Sequence, residues 1–253
     1  MEAIEKQDYT KNPEIQFRKK DDSIGWISLT KHAVRDKKGN ILYHEGIIVD
    51  VTERKENVER LRKALYATVQ TIAGIVETRD PYTAGHQRRV ANLSVVVAKE
   101  LGLNDDQIQS LQMAGIIHDV GKISVPAEIL SKPTKLTDIE FSLIKSHAQS
   151  GYDILKDIEF PWPIARMVVE HHERVDGSGY PNGLTGDKLL IESKILTVAD
   201  VVESMSSYRP YRPSLGIDKA LGEISTYKGV FYDPVVVDAC IRLFHEKDYK
   251  IID

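Results

Sequence analysis

The chain has little of several features that direct proteins to particular environments or reactions. Its 253 residues include one cysteine, Cys240, which cannot form an internal disulfide. Because Cys240 lies in the apolar stretch DPVVVDACIRLF, we interpret it as a buried core thiol and expect no cysteine redox chemistry. No apolar run approaches the ~20 residues that span a membrane, and the polar N-terminus lacks a signal-peptide pattern. These absences predict a soluble, cytoplasmic protein.

A strong charge of one sign is also absent. The 34 Lys and Arg residues and 38 Asp and Glu residues leave a net charge of −4, and no basic run occurs. This balance argues against binding to a DNA or RNA polymer through its backbone. An anionic ligand would therefore need a local basic pocket. With 42% hydrophobic residues, the chain can bury a substantial core.

The first fifth of the chain predicts a small antiparallel sheet. Strands are expected at 14–19, 24–36 and 40–51, with the turn-forming segments DDS and KKGN between them. The order of DDSIGW, DKKGN and VDVTERK resembles the C-terminal part of a PAS sensor domain. The resemblance implies that 1–51 form a partial PAS-like (PAC) module without the helical front half. A plain three-stranded spacer is the alternative.

A linker helix is predicted at 52–76. Its apolar residues follow a near-heptad spacing, at Val58, Leu61, Leu65, Val69, Ile72 and Val76. The first half, with charges around the stripe, could pair with a second copy as a short parallel coiled coil, which predicts a homodimer. The second half is apolar enough to pack on a domain. An ordinary amphipathic connector fits the pattern equally well.

Beyond residue 80 strand signals nearly vanish, and helical segments alternate with Gly, Pro and Asn turns up to about residue 229. The predicted fold class is therefore mainly α, with an all-helical domain at 66–250 after the small β module. Five histidines lie in this domain at helix ends or on apolar faces: His86, His118, His147, His171 and His172. We expect the other three, His32, His44 and His245, at the surface.

Several of these histidines and two acids stand where burial is costly without a partner. His118 and Asp119 end the apolar run MAGII, and Asp200 lies inside ILTVADVV. His147 follows Ile144 by three residues and precedes Gly151 by four, which predicts one shared helix face and an inward imidazole. The adjacent pair His171 and His172 closes the apolar run WPIARMVVE.

A single inward histidine is usually structural, but the group together predicts a metal site. Nitrogen and carboxylate donors without cysteine suit Fe, Mn, Ni, Co or Zn better than Ca²⁺ or Mg²⁺. Seven donors are too many for one tetrahedral zinc. They favour two divalent transition metals bridged by a carboxylate, an arrangement suited to in-line attack on phosphorus.

The order of the motifs resembles the HD-GYP family of cyclic di-GMP phosphodiesterases, over roughly 66–247. The matching segments are GHQRRV, HDVGKI, KSHAQSG, HHERVDGSGYP, VADVVESM and RPYR. The resemblance implies an HD-type fold and hydrolysis of cyclic di-GMP to linear pGpG. It assigns one metal to His86, His118, Asp119 and Asp200. It assigns the second to His147, His171 and His172, with Asp119 as the bridge.

The resemblance also implies substrate contacts. Lys122, three residues beyond Asp119, would reach a phosphate oxygen and offset developing charge, so Asp119 and Lys122 are the predicted catalytic residues. The GYP element, Gly179, Tyr180 and Pro181, would border the substrate. Arg209 and Arg212 would supply the basic pocket. Glu173 and Arg174 would orient this loop. The alternatives are a purely structural turn for the loop and exposed arginines without a ligand.

Two positions depart from the family pattern. Tyr82 stands where relatives with a third metal place a glutamate, so we predict two metals and slow conversion of pGpG to GMP. Glu203 stands where the family commonly has aspartate. Because the charge is the same, we predict that this change affects only the geometry around the metal ligands. Two further hypotheses stay open. The first is a catalytically weak domain that acts as a cyclic di-GMP receptor or as an interaction partner of a diguanylate cyclase domain protein. The second is an HD-type nucleotidase.

Overall fold

The computed structural model describes residues 9–10, 13–79, 85–207 and 214–251. The chain divides into two compact units, Met1–Tyr66 and Ala67–Asp253. The first contains a small antiparallel sheet and the second is helical, which confirms the predicted fold class. Of the described helices, none combines the length and apolarity that crossing a membrane requires.

The sheet of the first unit is built around one long strand. The strands are Tyr9–Thr10 (β1), Glu14–Arg18 (β2), Ile24–Arg35 (β3) and Ile41–Asp50 (β4). The other three strands all pair antiparallel with β3, and Ala33 faces His44 in the β3–β4 register. The bounds of β2, β3 and β4 lie within one residue of the predicted ones, whereas β1 was not predicted. The PAS-like identity of the sheet stays a prediction.

Helix α1 spans Thr52–Glu77, and its apolar residues form two faces rather than the single predicted stripe. The hydroxyl of Thr52 accepts a hydrogen bond from the Trp26 amide at 2.8 Å, which fixes the start of the helix. Val69 and Val76 are buried, together with Ala73. The exposed apolar residues occupy another face: Val58, Leu61, Leu65, Ile72 and Ile75. The burial of Val69 and Val76 agrees with the prediction that the second half of the stripe packs on a domain, whereas Ile72 of the same half is exposed.

The helical unit continues with short helices joined by tight turns. They are α2 (His86–Glu100), α3 (Asp105–Ile117), a 3₁₀ helix (Val120–Ser124), α4 (Ala127–Leu130), α5 (Asp138–Lys145), α6 (His147–Leu155), α7 (Ile164–Glu170), α8 (Ile191–Ser206), α9 (Ile217–Thr226) and α10 (Pro234–His245). α2 packs against α3 and α8 in the centre of the unit. α10 was not among the predicted helices. Its Cys240 is fully buried, as expected, and burial raises the pKa of this thiol to about 12.

The segment around His147 forms two helices where the sequence predicts one. The carbonyl of Leu143 accepts the Ser146 hydroxyl at 2.7 Å, and that of Ile144 accepts His147 Nδ1 at 2.6 Å. Side chains therefore donate hydrogen bonds to the carbonyls at the end of α5, and a new helix begins at His147. The prediction of one continuous helix was wrong, but the predicted inward position of the His147 imidazole is confirmed, and Ile144 and His147 line the same cavity.

Candidate metal centre

The structure brings all seven predicted ligand residues together. Five of them stand at or next to helix ends: His86 begins α2, His118 and Asp119 follow α3, His147 begins α6, and His171 follows α7. His172 is the next residue in the chain, and Asp200 lies within α8. All except the half-buried His172 are buried. Helix ends and one buried helix face thus direct polar side chains into one small volume.

The ligand residues form two clusters around Asp119. His86, His118 and Asp119 place donor atoms within 4.8 Å of one another, and so do His147, His171 and His172. Asp119 Oδ2 lies 3.6 Å from His118 Nε2, and Asp119 Oδ1 lies 3.4 Å from His147 Nε2. Each carboxylate oxygen therefore faces one cluster, as a bridging ligand requires.

Asp200 adds a second carboxylate to the first cluster, with Oδ1 3.2 Å from His86 Nε2. Burial by itself raises the pKa of Asp200, but the hydrogen bond and charge of His86 lower it well below its usual value. Burial likewise raises the pKa of Asp119, and Lys122 and His118 outweigh it, so that the pKa is again well below normal. Both acids are therefore negatively charged donors.

Backbone carbonyls orient three of the imidazoles. Each of these histidines uses Nδ1 to bond the carbonyl three residues earlier: His118 to Gly115 at 2.8 Å, His147 to Ile144 at 2.6 Å and His171 to Val168 at 2.5 Å. Since a carbonyl only accepts, Nδ1 carries the hydrogen in each case. The lone pair is therefore on Nε2, which faces the centre.

The second cluster has the donor chemistry of a cation site. His147 Nε2 and His171 Nε2 lie 3.2 Å apart, although both nitrogens are acceptors in the tautomer described above. Burial lowers the pKa of both rings, so neither gains a proton to bridge the gap. Burial and His147 also lower the pKa of His172, to about 3. Lone pairs that face each other this closely fit a bound metal ion.

Glu203 orients a fourth ring, that of His86. Its buried carboxylate accepts a hydrogen bond from His86 Nδ1, from Arg89 Nε at 2.7 Å and from Ser207 Oγ at 2.7 Å. Burial raises the pKa of Glu203, but the bond from His86 and its other partners hold it at about 2. This position agrees with the predicted supporting role. The contribution of Arg89 was not predicted, although it lies in the GHQRRV motif.

A cavity of about 430 Å³ opens onto this centre. Its lining includes His86, Asp119, His147, His172 and Asp200, with Lys122, Tyr180 and Ser204 beside them. Lys122 Nζ lies 2.6 Å from Asp119 Oδ2, so its positive charge adjoins the expected bridge. Burial raises the pKa of Tyr180, which keeps the phenol protonated beside His172.

The loop with the GYP element is held by residues that precede it. The Glu173 carboxylate accepts the backbone amides of Asn182 at 2.7 Å and Leu184 at 3.0 Å. Arg174 stacks on the Phe231 ring at 3.8 Å. A Cβ at Gly179 would collide with the backbone of Glu173 and Arg174, which explains the glycine.

The predicted substrate residues have different surroundings in the structure. Tyr180 lines the cavity, whereas Pro181 is exposed and follows a cis peptide bond. Arg209 and Arg212 lie outside the described residues, and so does Tyr82.

One buried acid near the centre was not predicted. Glu170, the last residue of α7, accepts Arg166 Nε at 2.6 Å and the Leu190 amide at 3.1 Å. These bonds hold the end of the helix from which His171 and His172 project. The four-residue spacing between Arg166 and Glu170 is the sequence signal that could have identified this pair.

Comparisons with known proteins identify the family of this chain. The family model for the HD domain matches residues 70–236. The cyclic di-GMP phosphodiesterase response regulator RpfG of Xanthomonas campestris is 38% identical over 177 residues, 69% of this chain and 47% of the relative. A cyclic di-GMP phosphodiesterase of Thermotoga maritima is 38% identical over 184 residues, 72% of this chain and 50% of the relative. The 3′3′-cGAMP-specific phosphodiesterase 3 of Vibrio cholerae is 38% identical over 170 residues, which are 67% of this chain and 37% of the relative.

The chain thus spans about half, or less, of the length of these curated relatives. Among solved structures, Bd1817, an HDG"Y"P protein from Bdellovibrio bacteriovorus, has a TM-score of 0.54 at 18% identity, over 63% of this chain and 51% of the other. The HD domain of PgpH from L. monocytogenes, solved with cyclic-di-AMP, has a TM-score of 0.50 at 19% identity, over 72% of this chain and 99% of the other. These two similarities concern the fold alone. By its family-model match and its motifs, the chain belongs to the HD-domain family, which confirms the resemblance to the HD-GYP phosphodiesterases.

Proposed function

We propose that the helical unit is a metal-dependent phosphodiesterase that hydrolyses cyclic di-GMP to linear pGpG. The observation that carries this proposal is the position of Asp119 between two histidine clusters, with Lys122 beside it in one cavity. The names of the relatives support a cyclic dinucleotide as the substrate class. The presence of every expected ligand favours an enzyme over a receptor without turnover.

The chain's residues would hold two divalent metals from the set Fe, Mn, Ni, Co and Zn. His86, His118 and Asp200 would hold one, His147, His171 and His172 the other, and Asp119 both. Mixed imidazole and carboxylate donors suit these metals. When bound, the metals would supply a water with a lowered pKa and would polarise the phosphoryl oxygens.

Around this centre the protein side chains stabilise charge and orient the substrate. Hydrolysis of the phosphodiester would form a bond between a water oxygen and phosphorus and break the bond from phosphorus to the ribose 3′ oxygen, which would leave as a hydroxyl with a proton from the water. Negative charge grows on the phosphoryl oxygens in this step, and the ammonium of Lys122 lies where it can offset that charge. The protonated hydroxyl of Tyr180 can donate a hydrogen bond to a phosphate or ribose oxygen.

The wider setting that we propose follows the family resemblance. The enzyme would act on the messenger in the bacterial cytoplasm, as a homodimer through α1. A diguanylate cyclase domain protein would be a partner of the same signalling system.

A product time course tests the proposed reaction. Protein purified without oxygen and loaded with metal is incubated separately with cyclic di-GMP, 3′3′-cGAMP and guanosine mononucleotides, and products are separated by chromatography. We expect cyclic di-GMP to disappear while pGpG accumulates, with little GMP at early times. Cleavage of mononucleotides alone, or of no substrate by the metal-loaded chain, would contradict the proposal.

A further inference from the structure

Lys145, the last residue of α5, lies between two aromatic rings, one of which belongs to a residue that lines the cavity. Its Nζ lies 5.3 Å from the centre of the Tyr180 ring and 4.8 Å from that of Phe141. Tyr180 lines the cavity and packs against His172, with ring centres 4.8 Å apart. Within the part of the chain that the structure describes, no carboxylate forms an ion pair with Lys145. Its ammonium is therefore available to an acceptor on a ligand.

The backbone fixes Lys145 relative to the metal centre. Lys145 lies between Ile144, which lines the cavity, and the Ser146–His147 junction where α6 begins. The Ile144 carbonyl accepts His147 Nδ1 at 2.6 Å, so the end of α5 is tied directly to a predicted ligand. α5 has no buried residue, and Phe141 is 46% exposed, so the Phe141 ring is accessible to a ligand.

The rings and the ammonium together suit a nucleobase. In a nucleotide, one ribose separates the base from its phosphate, so a phosphodiester at the centre places a base near the cavity rim. Phe141 is 46% exposed and offers an aromatic surface of the kind on which bases stack. Tyr180, which packs between His172 and Lys145, forms the neighbouring wall. An ammonium only donates hydrogen bonds. Guanine presents two acceptors on one edge, O6 and N7, whereas adenine pairs its N7 acceptor with an N6 donor.

We propose that Lys145 is a specificity-determining residue, which recognises guanine on its O6 and N7 edge and disfavours adenine. This inference rests on the proposed hydrolysis of a cyclic dinucleotide and specifies which bases the site selects. Guanine satisfies the ammonium with two acceptors. Adenine directs an amino group at it, so one donor faces another.

The test compares two substrates in Lys145→Met, which keeps the apolar stem and removes the ammonium. We expect the ratio of kcat/KM for cyclic di-GMP to that for cyclic di-AMP to fall about tenfold, mainly through a higher KM for cyclic di-GMP. Where cyclic di-AMP is not turned over, its inhibition constant replaces kcat/KM. Metal content by mass spectrometry shows whether the centre of the variant is intact.

The matched control is Lys156→Met, which removes the same charge from a lysine paired with Asp153 at 3.2 Å on the surface. It should keep the wild-type ratio. Equal losses for both substrates in Lys145→Met, or no loss for either, would overturn the assignment of Lys145. A metal-loaded wild-type chain that cleaves no cyclic dinucleotide would instead overturn the proposed function.

Discussion

At the scale of single residues, four of the five imidazoles of the centre are oriented by a group bound to their second nitrogen. Three rings are held by backbone carbonyls, which substitution cannot remove. The fourth, His86, is held by the side chain of Glu203, which Arg89 and Ser207 hold in turn. Glu203 is therefore the point at which ligand orientation can be changed without replacing a ligand.

We predict that Glu203→Gln lowers metal affinity about 10- to 100-fold, because an amide holds the His86 ring less firmly than a carboxylate. A competition titration against a metal indicator measures this change. Because the pKa of Glu203 is about 2, lowered from an ordinary value of 4.5, its charge is present above pH 4.5 and is lost only as the pH falls toward 2. The difference should therefore be constant between pH 5 and 8.

The control is Glu100→Gln, whose carboxylate pairs with Arg242 at 3.2 Å and with Lys247. This variant should bind metal as the wild type does. Identical affinities for wild type and Glu203→Gln would show that Glu203 does not support the centre.

The sequence predicts which residues come together at the centre because their surroundings are locally visible. Asp119 and Asp200 stand in apolar runs, where a carboxylate needs a partner. Arg89 was not predicted because its role depends on Glu203, which is distant in the chain. The spacing of Arg166 and Glu170 could have indicated their ion pair, but the bond from the Leu190 amide to Glu170 has no local signal. Periodicity carries no information about such contacts.

At the scale of elements, the 3₁₀ helix and α6 approach each other closely through glycine. A Cβ at Gly121 would collide with the His147 carbonyl oxygen and would lie 2.5 Å from the Gly151 nitrogen. Asp119 stands directly before this 3₁₀ helix, and His147 begins α6. The close packing of these two elements therefore sets the distance between the expected bridge and the second cluster.

We predict that Gly121→Ala lowers the free energy of unfolding by about 1 to 3 kcal/mol, because the added methyl group forces the two backbones apart. Metal content should fall as well, since Asp119 and His147 separate. Urea unfolding and metal analysis measure the two effects. Gly222→Ala in α9 is the control: its Cβ would meet nothing within 4 Å, and alanine favours a helix by up to about 1 kcal/mol. Equal stability of Gly121→Ala and wild type would contradict this account.

Element boundaries show where sequence patterns are insufficient. Apolar periodicity continues through 138–155, so it predicts one helix there. The break at Ser146 arises because Ser146 and His147 side chains bond the carbonyls of Leu143 and Ile144. Helix α10 was not predicted, and its run of three valines favours a strand by propensity. Burial of Val236, Val237 and Cys240 in the helical unit outweighs that preference.

At the scale of the whole molecule, the two faces of α1 suggest how copies of the chain associate. The exposed residues 58, 61, 65, 72 and 75 follow the a and d positions of a heptad, with Thr68 at the remaining d position. Val69 and Val76 are buried instead. An apolar seam of this length is unfavourable in water unless a partner covers it.

We predict a parallel dimer through this seam at tens of micromolar protein, and Leu61→Glu should convert it to a monomer by placing charge in the seam. Light scattering gives the mass directly. The control is Ala67→Glu, which adds the same charge at an exposed position off the seam and should leave the dimer intact. A monomeric mass for the wild type would contradict the prediction.

The most direct test of the central claim, a two-metal centre bridged by Asp119, measures metal content and turnover together in wild type and Asp119→Ala. Protein purified without oxygen is analysed by mass spectrometry, and each sample is assayed for pGpG formation from cyclic di-GMP. We expect about two transition metals per wild-type chain and steady turnover. In Asp119→Ala we expect less than one metal and no turnover, because each carboxylate oxygen faces a different cluster. Asp153→Ala, on the surface, should behave as wild type. Wild-type metal content and activity in Asp119→Ala would contradict the bridged centre.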